Sequence, residues 1–210
     1  MSFQIRLLFY SLMILPLLVQ ADAPTMTRVL KEEIHAGNFP FCNGGTCADV
    51  KTTGLSDDEW QQVRDLFEPE PENAEQEKER IRQAIGLLER IVGAKTGTAT
   101  DRGGTFGNSA YPGQLDCNDE ATNSTTYMKL MSAEGLLRFH RIEDTKTRGG
   151  FLFFGWHSTA AISDKASGKL FAVDSWFFDN GVPPVILPLE AWQNGWQPPS
   201  TPAHQAASHD

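Results

Sequence analysis

Hydrophobic positions along the chain fall into two periods, separated by stretches that have neither. An apolar run from Leu7 to Val19 follows Arg6, and the pattern then stays polar and irregular to about residue 54. "LSDDEW" predicts a helix start: Ser56 can cap, Glu59 stands three residues on as in a capping box, and Trp60, Val63 and Phe67 share a face. "EPEPEN" breaks that helix. A second helix is predicted from about Ala74 to Val92, with Ile81, Ile85, Leu88 and Val92 at helical spacing. Residues 93–115, rich in Gly, Thr and Asn, read as a long loop with no G-x-x-x-x-G-K-[ST] phosphate cradle. A third helix is predicted from about Cys117 to Glu134, with Ala121, Ser124, Met128 and Met131 on one side and Gly135 as its stop.

The period then changes. "LLRFHRI", "FLFFGWHSTAAI" and "KLFAVDSWFF" predict three strands, with "SDKASG" turning between the last two. Pro183, Pro184 and Pro188 return the chain to irregular structure, with one helical turn at "PLEAW", and the tail from Gln197 has little to bury. Helices followed by strands predict an α+β domain, with N-terminal helices packed on an antiparallel sheet. The expected division is residues 1–21 as a signal peptide (or to 23), 22–54 as an irregular segment, 55–196 as a single domain and 197–210 as a disordered tail.

The first run is short for a membrane span and ends at Gln20, Ala21, Asp22 and Ala23, as at a signal-peptidase site. Cleavage after Ala21 is preferred to Ala23, because Pro24 would follow the second cut. Export is expected, with an uncleaved anchor as the alternative, and no membrane insertion is expected after cleavage. The net charge of −9, without a Lys/Arg cluster to offset it, argues against nucleic acid as a partner.

Export changes how the three cysteines read. "FCNGGTC" separates Cys42 and Cys47 by a flexible turn, so an oxidising compartment favours a local disulfide. So short a loop contributes only about 2 kcal/mol. A zinc site would need two further ligands, and no paired Cys or His offers them. Cys117 is then the unpaired thiol, at the predicted opening of a helix. Such a position offers partial positive charge and free N–H groups that could hold an oxyanion. Against activation, Asp116, Asp119 and Glu120 adjoin the sulfur, and negative charge raises a thiol pKa.

A base is sought among five histidines. His204 and His209 lie in the tail, His35 in the irregular segment, and His140 reads as structural or surface. If Asp164–Ser167 form a four-residue hairpin loop, Ser163 faces Gly168 and His157 lies opposite Asp174 on one face of the sheet. A two-residue change in loop length would keep the face and move the partner one diagonal step. By parity Trp176 shares the face of Asp174, and Trp156 turns the other way. Gln114, just before the cysteine, is a candidate oxyanion donor, with the Cys117 backbone N–H the safer one. "NST" at Asn123 would be a glycosylation signal, but it falls inside the predicted helix.

"D-C-N-D-E-A" opening a helix, then "W-H-S-T-A" and "V-D-S-W" on successive strands, resembles the transglutaminase-like branch of the papain-type cysteine enzymes. The likeness is closest to bacterial transglutaminase-like cysteine proteinases and covers residues 112–178. It implies Cys117 as nucleophile, His157 as general base and acid, and Asp174 as the group that orients the imidazole. It also implies a transglutaminase-like core, a peptide or protein substrate, and the bacterial periplasm or extracellular space as location. No cofactor is expected, although some of those proteinases bind calcium through acidic residues near the site, a role open to Asp116, Asp119 and Glu120. The reading is an exported thiol-dependent amide hydrolase or acyl transferase (peptidase, amidase or transamidase). The rival is a catalytically inactive secreted binding or regulatory module on the same fold, with Cys117 an inert buried thiol. A metal-dependent hydrolase using His157 with Asp119 or Glu120 lacks ligand-spaced motifs.

Overall fold

The computed structural model describes residues 23–105, 112–149 and 156–199. The expected signal peptide, the first half of the strand at 151–162 and nearly all of the tail lie outside the described residues.

Helix α1 (Ala23–Val29) leads into an antiparallel hairpin, β1 (Phe39–Asn43) and β2 (Asp49–Thr53). This corrects the irregular reading of residues 22–54. Phe39 to Cys42 are all buried, so β1 shows no alternation to betray it. The Cys42–Cys47 disulfide closes the turn of the hairpin, as expected.

Helix α2 (Asp57–Asp65) opens with the expected capping box. The Ser56 hydroxyl accepts from the Glu59 N–H, and Glu59 accepts from the Ser56 N–H at 2.7 Å. Helix α3 (Ala74–Thr96) outruns its expected end at Val92 and stops at Gly97, whose φ of 87° closes it in the left-handed region. Ile81, Ile85, Leu88 and Val92 are fully buried, which accounts for their spacing. Helix α4 (Cys117–Ala133) follows the long loop and is capped by Asp116.

Four antiparallel strands in chain order form the main sheet: β3 (His140–Arg148), β4 (His157–Asp164), β5 (Leu170–Asp174) and β6 (Val185–Pro188). The last is an addition to the expected strands, and the one-turn helix α5 (Leu189–Gln193) falls where "PLEAW" predicts it. The start of β3 is later than "LLRFHRI" implies. Glu77 of α3 takes the Arg138, Phe139 and His140 N–H groups, at 2.6 to 3.0 Å, and the His140 ring at 2.9 Å. These N–H groups are spent on a carboxylate instead of a ladder. His140 is thus a buried structural residue.

The β4–β5 register differs from expectation by two residues. Ser163 pairs with Leu170 instead of Gly168, because the turn holds six residues. Asp164 organises it, accepting from the N–H groups of Ala166 and Ser167 and from the Ser167 hydroxyl. The shift keeps His157 and Asp174 on one face and sets them a diagonal step apart.

Mixed helices and antiparallel sheets make this an α+β fold. Helix α4 lies at its centre, packed on β3, β4 and β5 and bounded by α3 and β1. Tyr127, Met128, Leu130 and Met131 of α4 share one core with Ile81, Ile85 and Leu88 of α3, Ala160 and Ile162 of β4, and Phe171 and Val173 of β5. Being buried on nearly every side, α4 carries polar residues inward. Thr122, Thr125 and Thr126 return their hydroxyls to carbonyls four residues back, at 2.7 to 3.0 Å.

A buried helix start must find acceptors for its own N–H groups and those of whatever packs on it. Asp116 Oδ1 accepts from Asn118 and Asp119. Asp116 Oδ2 accepts from the Thr46 N–H, and Asp119 from the Gly45 and Cys47 N–H groups at 2.8 and 2.7 Å. Gly44, Gly45, Thr46 and Cys47 all have positive φ, which turns successive N–H groups toward these carboxylates. Asn123 adds a two-way bond to the Cys42 backbone. The disulfide loop is therefore fastened to α4 chiefly by carboxylates. Asp119→Ala strands buried donors and should cost about 3 kcal/mol. The Cys42→Ser/Cys47→Ser pair should cost about 2 kcal/mol. Urea unfolding of the two variants checks the order, and a larger loss from the disulfide pair would contradict it.

Candidate active site

Of the expected triad, His157 and Asp174 meet directly. His157 opens β4 and Asp174 closes β5, and Nε2 lies 2.7 Å from Asp174 Oδ2. Both are buried. The Nε2 bond defines the neutral ring: Nε2 carries the proton and Nδ1 keeps the lone pair. Among the described residues, Nδ1 is buried without a hydrogen-bond partner. Trp176 lies 4.6 Å from the ring, Phe177 5.2 Å and Trp192 5.4 Å, centroid to centroid, so aromatic walls enclose the imidazole. Trp176 accordingly shares the face of Asp174, and Trp156 is 70% exposed.

Cys117 is the first residue of α4 and the free cysteine of the chain. Its sulfur lies against the backbone on both sides of His157. The thiol approaches the Trp156 carbonyl at 3.9 Å, and the Ser158 N–H is directed at it. Burial pushes the thiol up to about 11. The Ser158 N–H opposes that rise, and the carboxylates of Asp116 and Asp174 add to it. The resting group is a neutral thiol.

Gln114 is committed elsewhere. Its Nε2 donates to the Thr100 carbonyl and its Oε1 accepts from the Arg102 N–H, at 3.0 and 3.1 Å. The side chain braces the loop before Cys117, and both ends of its amide are occupied. Cys117's own N–H lies in the first turn of α4.

The acidic residues beside Cys117 serve the fold. Asp116 and Asp119 hold the disulfide loop, and Glu120 accepts from the Ser175 hydroxyl at 2.6 Å. Among the described residues no group of three or more His, Cys, Asp or Glu side chains could hold a metal ion.

Two residues lie beyond what sequence reasoning proposed for the site. Trp192 of α5, fully buried, donates its indole N–H to Asp174 Oδ2 at 2.6 Å. Arg148, at the end of β3, lies 4.5 Å over the Trp192 ring. Neither has a sequence signal, because each acts from an element whose position only the folded sheet defines.

Behind the site, Glu89, Asp101 and Glu120 form a buried acid cluster. Glu89 accepts from the Gly181 N–H and Asp101 from the Leu115 N–H, at 2.9 and 2.8 Å. The cluster thereby ties the segment before Cys117 and the segment after Asp174 to α3. Burial raises Glu89 to about 8 and Asp101 to about 6, and burial with the charges of Glu89 and Asp101 holds Glu120 well above its usual range.

Comparison with protein-family models, with curated proteins and with solved structures finds no match to this chain.

The acid cluster carries a pH consequence. In the unfolded chain these groups lose their protons near pH 4, whereas the folded protein retains them to higher pH. The stability these groups contribute is therefore fullest below about pH 4 and declines as pH rises from there to about 6 for Asp101 and about 8 for Glu89. The slope is roughly 1.4 kcal/mol per pH unit for each proton that folding takes up. Burial alone would raise Glu77, but the His140 ring and three backbone N–H groups hold it below the usual range, so its contribution is lost in stronger acid. Thermal melts from about pH 5 to about pH 9 should show Tm falling, with a shallower fall in Glu89→Gln. A flat profile, or one unchanged in the variant, would contradict the assignment.

Proposed function

We propose that this protein is an exported thiol-dependent amide hydrolase or acyl transferase acting on a peptide or protein. Supporting the reading is one observation above all: a buried His157–Asp174 pair leaves Nδ1 without a partner among the described residues, and the Cys117 sulfur approaches the carbonyl of Trp156, the residue before His157, at 3.9 Å. The order Cys, His, Asp on a helix start and two neighbouring strands is also the order in transglutaminase-like cysteine enzymes, the family the sequence resembles. Export is supported by the apolar run at Leu7–Val19 and by the disulfide. No helix of the described residues is long and apolar enough to cross a membrane.

The chemistry follows from a neutral resting thiol. Cys117 Sγ attacks the amide carbonyl carbon while its proton passes to His157 Nδ1. The developing imidazolium is stabilised by Asp174, which itself takes no proton. The Cys117 N–H at the opening of α4 is the donor for the oxyanion. Collapse breaks the C–N bond, the leaving amine takes the proton from Nδ1, and a thioester remains. Water returns the acid, and an amine in its place yields a new amide.

A second reading has its own observation. The Cys117 side chain belongs to a residue only 5% exposed and its thiol is pushed up to about 11, as in an inert core cysteine. On that reading the domain is a secreted binding or regulatory module.

The pH dependence of iodoacetamide labelling at Cys117 separates the two. General-base assistance adds a shoulder near neutral pH below the alkaline limb of the thiol, and His157→Gln removes it, slowing neutral labelling about a hundredfold. A single alkaline limb, identical in the wild type and His157→Gln, overturns the enzyme reading in favour of the module.

A further inference from the structure

Asp174 Oδ2 accepts two hydrogen bonds from opposite sources, His157 Nε2 at 2.7 Å and Trp192 Nε1 at 2.6 Å. The indole belongs to α5, a helix of five residues that has no side-chain cap. A helix so short has no stability of its own. Leu189 and Trp192 pack it on Ala172 of β5 and Leu187 of β6, and Arg148, the residue paired with His157 across β3 and β4, fastens it by hydrogen bonds. The guanidinium donates to the Trp192 and Trp196 carbonyls, the latter at 2.9 Å, and its central carbon lies over the Trp192 ring. The Trp192 carbonyl also accepts from the Gly195 N–H at 3.0 Å, so Arg148 adds a side-chain donor there and ties in the Trp196 carbonyl just beyond the helix. Arg148, Trp192, Asp174 and His157 form one continuous chain of contacts.

We infer that Trp192 is a positioning residue for the His157–Asp174 pair, and that Arg148 secures it through the carbonyl end of α5. An Asp side chain rotates freely about its terminal torsion unless its oxygens are held. The indole N–H holds Oδ2 in line with Nε2, which keeps the ring proton on Nε2 and leaves Nδ1 as the acceptor. Without that donor the carboxylate loses one of two partners on Oδ2, and the ring loses its tautomer preference. The role of Nδ1 in accepting the Cys117 proton rests on the proposed function, but the tautomer does not.

Trp192→Phe removes the N–H and keeps most of the packing. Nitrogen-15 NMR of the neutral His157 ring should show Nε2–H predominating in the wild type and a mixture of tautomers in Trp192→Phe. The neutral shoulder of Cys117 labelling should fall by about tenfold, with the alkaline limb unchanged. A purely structural tryptophan would lower Tm and leave the tautomer alone, and that result overturns the inference. Should Trp192→Phe not fold, Arg148→Met leaves the indole in place and unfastens α5. The same loss of tautomer preference is expected there, and its absence is equally decisive. Wild-type labelling without a neutral shoulder, together with an intact Nε2–H tautomer that Trp192→Phe disturbs, would sink the enzymatic reading and spare this one.

Discussion

The structure turns on burying the first turn of α4. A helix start in solvent leaves its N–H groups to water, but this one is enclosed by the disulfide loop and the sheet, so every polar group there needs a partner. Asp116 serves the helix with one oxygen and the loop with the other, and Asp119 is spent wholly on internal donors. These bonds explain why four successive left-handed residues persist at 44–47. They also fix where Cys117 can stand. Two carboxylates drawn this close carry a cost: burial and the Asp116 charge push Asp119 up to about 7, against the N–H donors of Cys47, Gly45 and Asp116.

The same constraint recurs around the core. Glu77 spends its oxygens on three backbone N–H groups and a ring at the start of β3. Glu89, Asp101 and Glu120 do comparable work behind the site, where so few N–H and hydroxyl donors are too little to keep all three ionised. The difference lies in donor number. Glu77 has enough donors to stay charged in a fully buried place, and the cluster keeps protons instead. Buried acids therefore join the segments that carry Cys117 and Asp174 to the helical layer, a task that apolar packing alone would do with less directional control.

Local signals were legible in the sequence wherever the cause was local. Ser56 and Glu59 announce α2, the spacing of Ile81 to Val92 announces α3, and Asp116–Cys117 marks the start of α4. The unpaired cysteine follows from counting once Cys42 and Cys47 are joined. What was hidden depends on partners far along the chain. β1 is buried without alternation, and β6 is four residues flanked by prolines. The two-residue error at Ser163 arose because Asp164 organises a wider turn than a minimal hairpin requires. Gln114 looked like a donor by proximity in sequence, but the loop at Thr100–Arg102 takes up its amide. Trp192 stands 18 residues from Asp174 on an element with almost no periodic signal, and only the β5–β6 pairing brings it back.

The resting state of Cys117 bears on the compartment proposed for it. A standing thiolate is the form that attacks disulfides and is oxidised, and an exported enzyme meets both hazards continuously. Here the sulfur is 5% exposed, and burial with the nearby carboxylates keeps it protonated far above neutral pH. On the proposed reading, reactivity is withheld until a carbonyl is in place and Nδ1 accepts the proton during attack. The acidic neighbours that look hostile to catalysis then have a use: they suppress the thiolate between turnovers, while the imidazole supplies it during one. What such an arrangement gives up is the speed of a preformed ion pair, and what it retains is a free thiol in a compartment that oxidises thiols.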